Sequence, residues 1–198
     1  MKATKLTASI VFAAFAVVCT VTATDAQTTP TVDPKIEKKQ KEVRKMAHDT
    51  LQRLYKVEPL TRAAIKASAG YAVFSNKGVK ILVAGSGKGQ GIAVNNESQK
   101  ETFMKMLEVQ AGLGMGVKKF QVIFIFDNNK AFTDFVESGW QFGGQTTAAA
   151  KSGDKGGALA GAVSVSDGVW MYQLTEKGLA LEITAKGTKY YKDDDLNK

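Results

Sequence analysis

Glycines spaced two apart are the residues of this chain that most suggest chemistry: Gly85, Gly87, Gly89 and Gly91, then Gly112, Gly114 and Gly116. A dinucleotide-binding turn needs G-x-G-x-x-G, so that backbone amides can close on a pyrophosphate. The sixth residue counted from Gly85 is Gln90, from Gly87 it is Ile92 and from Gly112 it is Val117, so the pattern fails each time. A phosphate-binding P-loop needs Gly-Lys-Ser/Thr, and Gly87-Lys88 is followed by Gly89. In a strand, residues two apart share a face, so each ladder is a face without side chains. Such a face lets another backbone, a crowded barrel interior or a ligand chain come close. Packing is the expected use.

The other reactive residue types stand alone. His48 is the single histidine, and neither a nucleophile–base pair nor a metal-ligand set has the companions it needs. It is expected to be an exposed helix residue. Asp193-Asp194-Asp195 lacks the glycine and distal glutamate of a calcium loop and reads, with the rest of 192–198, as a solvated polar tail. No enzyme activity, cofactor or metal is expected from this set.

Bases are more informative. Between Lys35 and Lys56 stand eight of them, Lys35, Lys38, Lys39, Lys41, Arg44, Lys45, Arg53 and Lys56, against Glu37, Glu42 and Asp49. In the same stretch Ile36, Val43, Met46, Ala47, Leu51, Leu54 and Val57 recur at helical spacing. An apolar stripe opposite a lysine face is the pattern of a helix lying in a membrane interface. It is equally the pattern of a helix docked on a sheet with its lysines in water. The candidate lipid-binding residues are Lys35, Lys38, Lys39, Lys41, Arg44, Lys45 and Lys56.

Asp33-Pro34 suits the start of that helix, since Asp can cap and Pro is preorganised at the first helical position. Glu58-Pro59 breaks it, and a second short helix is predicted from about Leu60 to Ser68, ended by Gly70. Strand patterns then follow: 71–74, 85–94, 101–109, 112–117 and 120–126, with 79–84 ambiguous. Asn128 and Asn129 cap a helix through Ser138, with Phe132, Phe135 and Val136 on one side and Gly139 ending it. Further strands are predicted at 140–149, 158–165, 169–174 and 179–184. Short turns between strands favour antiparallel neighbours.

The chain opens with Lys2 and Lys5, an uncharged apolar run from Leu6 to Ala23, and small residues at Thr24 and Ala26. This is the pattern of a secretory signal peptide cut before Gln27, followed by a short linker through 34 and one domain over 35–198; the alternative is an uncleaved membrane anchor, since the apolar run is near the ~18-residue length of a spanning helix. Val18 stands before Cys19, where a lipoprotein needs a small residue, so the one cysteine belongs to the removed segment and the mature chain has no thiol. Cleavage removes Lys2, Lys5 and Asp25 and lowers the net charge by one from +8. A basic exported protein favours anionic surfaces. Export argues for a phospholipid or lipopolysaccharide surface at the envelope and against nucleic acid.

The order of motifs adds a resemblance. Ala69-Gly-Tyr-Ala-Val-Phe74, the ladder Gly85–Gly91, Gly112-Leu-Gly-Met-Gly116, Val122–Phe126, Lys177-Gly-Leu179, Lys186-Gly-Thr-Lys-Tyr-Tyr191 and Leu196-Asn197 together resemble the SYLF family over about 48–198. Ser75 replaces the usual Pro, and Gly114 and Lys118 stand where the family often has Gln. The resemblance implies a phospholipid-binding domain without enzyme activity; eukaryotic members also bind phosphoinositides and actin. The expected fold is α+β, with N-terminal helices packed on a strongly bent, mainly antiparallel sheet approaching a barrel. The expected function is non-enzymatic binding of an anionic membrane surface at the bacterial envelope. The alternative is a structural or protein-interaction domain there.

Overall fold

Helix α1 spans Pro34–Val57, and it begins as its end residues dictate: the Asp33 carboxylate accepts from the Lys35 amide at 2.8 Å, with Pro34 in the first turn. The computed structural model describes residues 33–81, 84–111, 116–142, 159–180 and 187–198. The export signal, the linker, Gly112, Gly114 and the strand segments predicted at 143–149 and 181–184 lie outside them. The chain from Val32 to Lys198 forms one compact unit. No described helix is long and apolar enough to cross a membrane.

After α1 come α2 (Thr61–Ala67) and α3 (Asn129–Ser138) and nine strands. These are β1 (Gly70–Ile81), β2 (Ala84–Asn95), β3 (Glu101–Ala111), β4 (Gly116–Phe126), β5 (Trp140–Phe142), β6 (Val163–Ser166), β7 (Val169–Thr175), β8 (Gly178–Leu179) and β9 (Thr188–Lys192). They form one sheet in the order β5-β9-β3-β2-β1-β4-β7-β6, with β8 on β7. Each pairing is antiparallel.

The sheet is curled into a half-barrel, and ring contacts identify the inside. Phe124 of β4 and Tyr190 of β9 are four strands apart in the sheet order, yet their ring centroids lie 5.0 Å apart. Flat, four strand spacings of about 4.8 Å would separate them by about 19 Å. Phe74 of β1 also meets Tyr190, at 4.7 Å. The inner face is therefore the one bearing Ala72, Phe74, Met104, Met106, Val122, Phe124, Phe126 and Tyr190, plugged by Phe132, Phe135 and Val136 of α3.

The β2 ladder makes this curl sterically feasible. A Cβ at Gly89 would lie 2.6 Å from the Ser75 carbonyl oxygen, and one at Gly91 would overlap the Phe74 ring and lie 2.5 Å from the Val73 carbonyl oxygen. Real Cβ atoms do not approach so closely, so side chains there would force the strands apart. The steric reading of these glycines holds.

The outer face carries Val73, Ile92, Val94, Phe103, Ile123, Ile125, Tyr172 and Leu174, covered by Val43, Ala47, Leu51 and Leu54 of α1 and Ile65 of α2. The apolar stripe of α1 is thus spent on the sheet from Val43 to Leu54, whereas Val57, read as part of it, is exposed.

Two expectations are corrected. Residues 159–161 form a turn and the strand begins only at Val163, because Gly161 takes a positive φ of 75°. The C-terminal residues are not a solvated tail. Asp193 and Leu196 are buried, and Asn197 brackets Phe103, accepting from its amide at 2.9 Å and donating to its carbonyl at 2.7 Å. Gln40 of α1 donates to the Leu196 carbonyl at 2.8 Å, so this segment ties α1 to β3.

Candidate functional site: the lysine face of α1 and the groove beside it

Docking the apolar stripe turns the opposite side of α1 to solvent. Lys35, Lys38, Lys39, Lys41, Arg44, Lys45 and Lys56 are all exposed. The fold does not leave them equivalent. Lys41 pairs with Glu37 at 2.7 Å and Lys45 with Asp49 at 2.6 Å, each one helical turn away. Arg44 pairs with Glu101 of β3 at 2.7 Å and lies 5.0 Å from the centre of the Phe103 ring, which makes it a strut between helix and sheet. The hydrogen bond from Lys41 holds the Glu37 carboxyl below its usual range. Among the described residues no carboxylate pairs with Lys35, Lys38, Lys39 or Lys56. His48 is exposed.

Lys39 also borders a groove of about 900 Å³ between α1 and the outer face of β2, β3 and β9. Met46, Leu107, Tyr191 and Leu196 supply its apolar lining, and Lys39, Lys88 and Lys105 its bases. Its volume falls within the usual range of small-molecule sites. Lys105 is bound by Asp193 at 2.8 Å and Asp195 at 3.4 Å, and the hydrogen bond to Asp193 holds its ammonium above the ordinary lysine range. Lys39 and Lys88 pair with no described carboxylate, whereas Glu42 lowers the net positive charge of the rim.

The sequence reading found Lys39 and missed Lys88, Leu107 and Tyr191. A signal was present: if the β2 glycines share the inner face, strand alternation sends Lys88 and Gln90 to the outer one. Tyr191 and Leu196 had no such signal, since β9 follows a segment whose length does not reveal that it pairs between β3 and β5.

The inner face holds a second polar group of residues. Asn76 donates to the buried Glu108 carboxylate over the space that Gly87 leaves, where a Cβ would lie 2.6 Å from Asn76 Oδ1 and 2.9 Å from Glu108 Oε2. Thr188 stands opposite Glu108 on β9. Burial pushes the Tyr190 hydroxyl upward, and the nearby Glu108 charge adds to the shift. No groups of three or more His, Cys, Asp or Glu are placed to hold a metal among the described residues.

Residues 107–198 match the model of a family described as Ysc84, Las17-binding protein actin regulator. The matched part of the chain belongs to this family, whose domain is called SYLF. A curated relative, beta cell expansion factor A of Aeromonas veronii, is 30% identical over 177 residues, covering 89% of this chain. The chain spans 66% of that relative's length. The family match begins within β3, so α1 and its lysines lie outside it and inside the longer alignment's reach.

Proposed function

We propose that this protein is a non-enzymatic binder of anionic membrane surfaces at the bacterial envelope, acting through the lysine face of α1. One observation carries the reading. The fold buries Val43, Ala47, Leu51 and Leu54 of α1 and leaves Lys35, Lys38, Lys39 and Lys56 exposed with no described carboxylate partner. Helix α1 therefore does not insert along its length; it lies against a charged surface. Membership in the SYLF family supports the lipid as partner, and the export signal read at the N-terminus supports the envelope as the place.

The test is co-sedimentation with phosphatidylglycerol and with phosphatidylcholine vesicles. Each base near an anionic surface contributes about 1 kcal/mol. Lys35→Glu/Lys38→Glu/Lys39→Glu is thus expected to weaken binding to phosphatidylglycerol by about 100-fold or more, with circular dichroism unchanged. Removing the two ion pairs whole, as Glu37→Gln/Lys41→Gln/Lys45→Gln/Asp49→Asn, should lose far less, because each pair carries no net charge. Wild-type binding should weaken as the Debye length shortens from about 10 Å at 0.1 M salt to about 3 Å at 1 M. Undiminished binding by the folded triple variant would refute the lysine face.

A second reading has one observation behind it: the matching family is described by a protein partner, Las17. On that reading the domain serves protein interaction at the envelope and ignores phosphatidylglycerol and phosphatidylcholine vesicles alike.

A further inference from the structure

Among the described residues three large hydrophobic side chains are exposed, and two of them flank one proline: Val57 at 46% and Leu60 at 59%. They sit at the corner where α1 turns into α2. Hydrogen bonds brace the corner. The Glu58 amide donates to Leu54 at 2.8 Å, and the Glu58 carbonyl accepts from both the Thr61 hydroxyl at 2.6 Å and the Thr61 amide at 3.1 Å. Thr61 and Ile65 are buried beneath it, so Val57, Pro59 and Leu60 are held outward rather than lying over a gap.

Bases surround this tip. Lys56, Arg62 and Lys66 are exposed, and no described carboxylate pairs with them. Arg62 is held over the Tyr55 ring, 4.4 Å from its centre, with its fork directed to the Gln52 oxygen at 3.5 Å. The acid of the corner, Glu58, is half-buried and close to where a Gly161 side chain would begin, 3.6 Å away, so its charge faces Gly161 rather than the tip.

We infer that the α1–α2 corner is a membrane anchor, with Val57, Pro59 and Leu60 entering the acyl boundary of an anionic bilayer while Lys56, Arg62 and Lys66 meet its phosphates. An apolar tip within a basic collar matches the two layers of a bilayer interface. Two side chains and a proline ring cover far less than the ~800 Å² per partner of a stable protein interface, which favours a lipid surface over a protein. Lys56 lies 18 residues, five helical turns, beyond Lys38 and so on the same side of α1. Both ends can then touch one plane with the helix lying flat. The inference rests on the lipid-surface reading above and adds insertion to it.

The experiment uses the full chain and phosphatidylglycerol/phosphatidylcholine vesicles. Leu60→Cys in a Cys19→Ser background is labelled with an environment-sensitive fluorophore, and Leu60→Asp and Val57→Asp are measured alongside. The expected result is a blue shift at position 60 on vesicle binding, quenching by nitroxide on the lipid chains, and an affinity loss of about tenfold for each Asp variant with Tm unchanged. This loss should persist in high salt, unlike that from lysine reversal. A label that stays water-exposed on vesicles that do bind, or Asp variants that bind like wild type, overturns the anchor and leaves the lysine face standing. Failure of the unsubstituted chain to bind phosphatidylglycerol vesicles overturns both.

Discussion

Aromatic rings and missing side chains shape the inside of the sheet, whereas aliphatic side chains and lysines divide the outside. On the inner face, Phe124 meets Phe74, Phe126, Phe135, Trp140 and Tyr190 at centroid distances from 5.0 to 6.3 Å. These rings come from β1, β4, β5, β9 and α3, so they close the curl. On the outer face, α1 contributes Val43, Ala47, Leu51 and Leu54 to a core and keeps its bases in water. The inner face is where the fold is determined. The outer face is where charge and exposed apolar tips are available to a partner. A ligand-binding ladder of glycines was one alternative at the start, and Gly91, against the Phe74 ring, belongs to the first role.

Three changes on the inner face test this division, in falling order of effect. Phe124→Ala should cost about 3–5 kcal/mol, the range for emptying a large aromatic from a core, read by urea unfolding. A loss no larger than that of an exposed substitution would mean the rings do not hold the curl. Gly87→Val comes next, at about 1–3 kcal/mol through overpacking, because the new side chain meets Asn76 and Glu108. Vesicle binding by the folded fraction should be unchanged. Full stability with lost binding would instead move the ladder to the ligand site.

The smallest effect concerns Tyr190, whose buried hydroxyl has no hydrogen-bond partner among the described residues. Burial raises its ionisation above the ordinary value of about 10. The folded state thus holds the proton more tightly, so this contribution to stability is complete below about pH 10 and is lost as pH rises toward the folded value. Burial raises Tyr172 in the same sense. Tyr190→Phe should change stability at pH 7 by less than about 1 kcal/mol, since an unpartnered hydroxyl is removed, and should move the alkaline unfolding midpoint upward. An unmoved alkaline midpoint would show that this hydroxyl is hydrated.

Local sequence determined much of this molecule. Asp33-Pro34, the Glu58-Pro59 break, the Asn128 cap and Gly139 at φ 69° each act within a few residues, so α1, α2 and α3 were legible with boundaries close to those found. Glycines at alternate positions marked β2 and shared one face, and turn signals on either side marked the strand at 169–174. What tertiary structure alone decided was which face curls inward, because that depends on rings brought together from five elements far apart in the chain. The same holds for the C-terminal segment. Asp193-Asp194-Asp195 looked like a solvated tail because charge is visible in sequence, while the Phe103 backbone that Asn197 clasps and the α1 residue that reaches Leu196 are not. The lysine face shows the limit most plainly. Eight bases were countable, but which are neutralised depends on side-chain geometry. Glu37 and Asp49 lie one turn from their partners and could be read along the helix. Glu101 reaches Arg44 only because β3 is folded back beside α1.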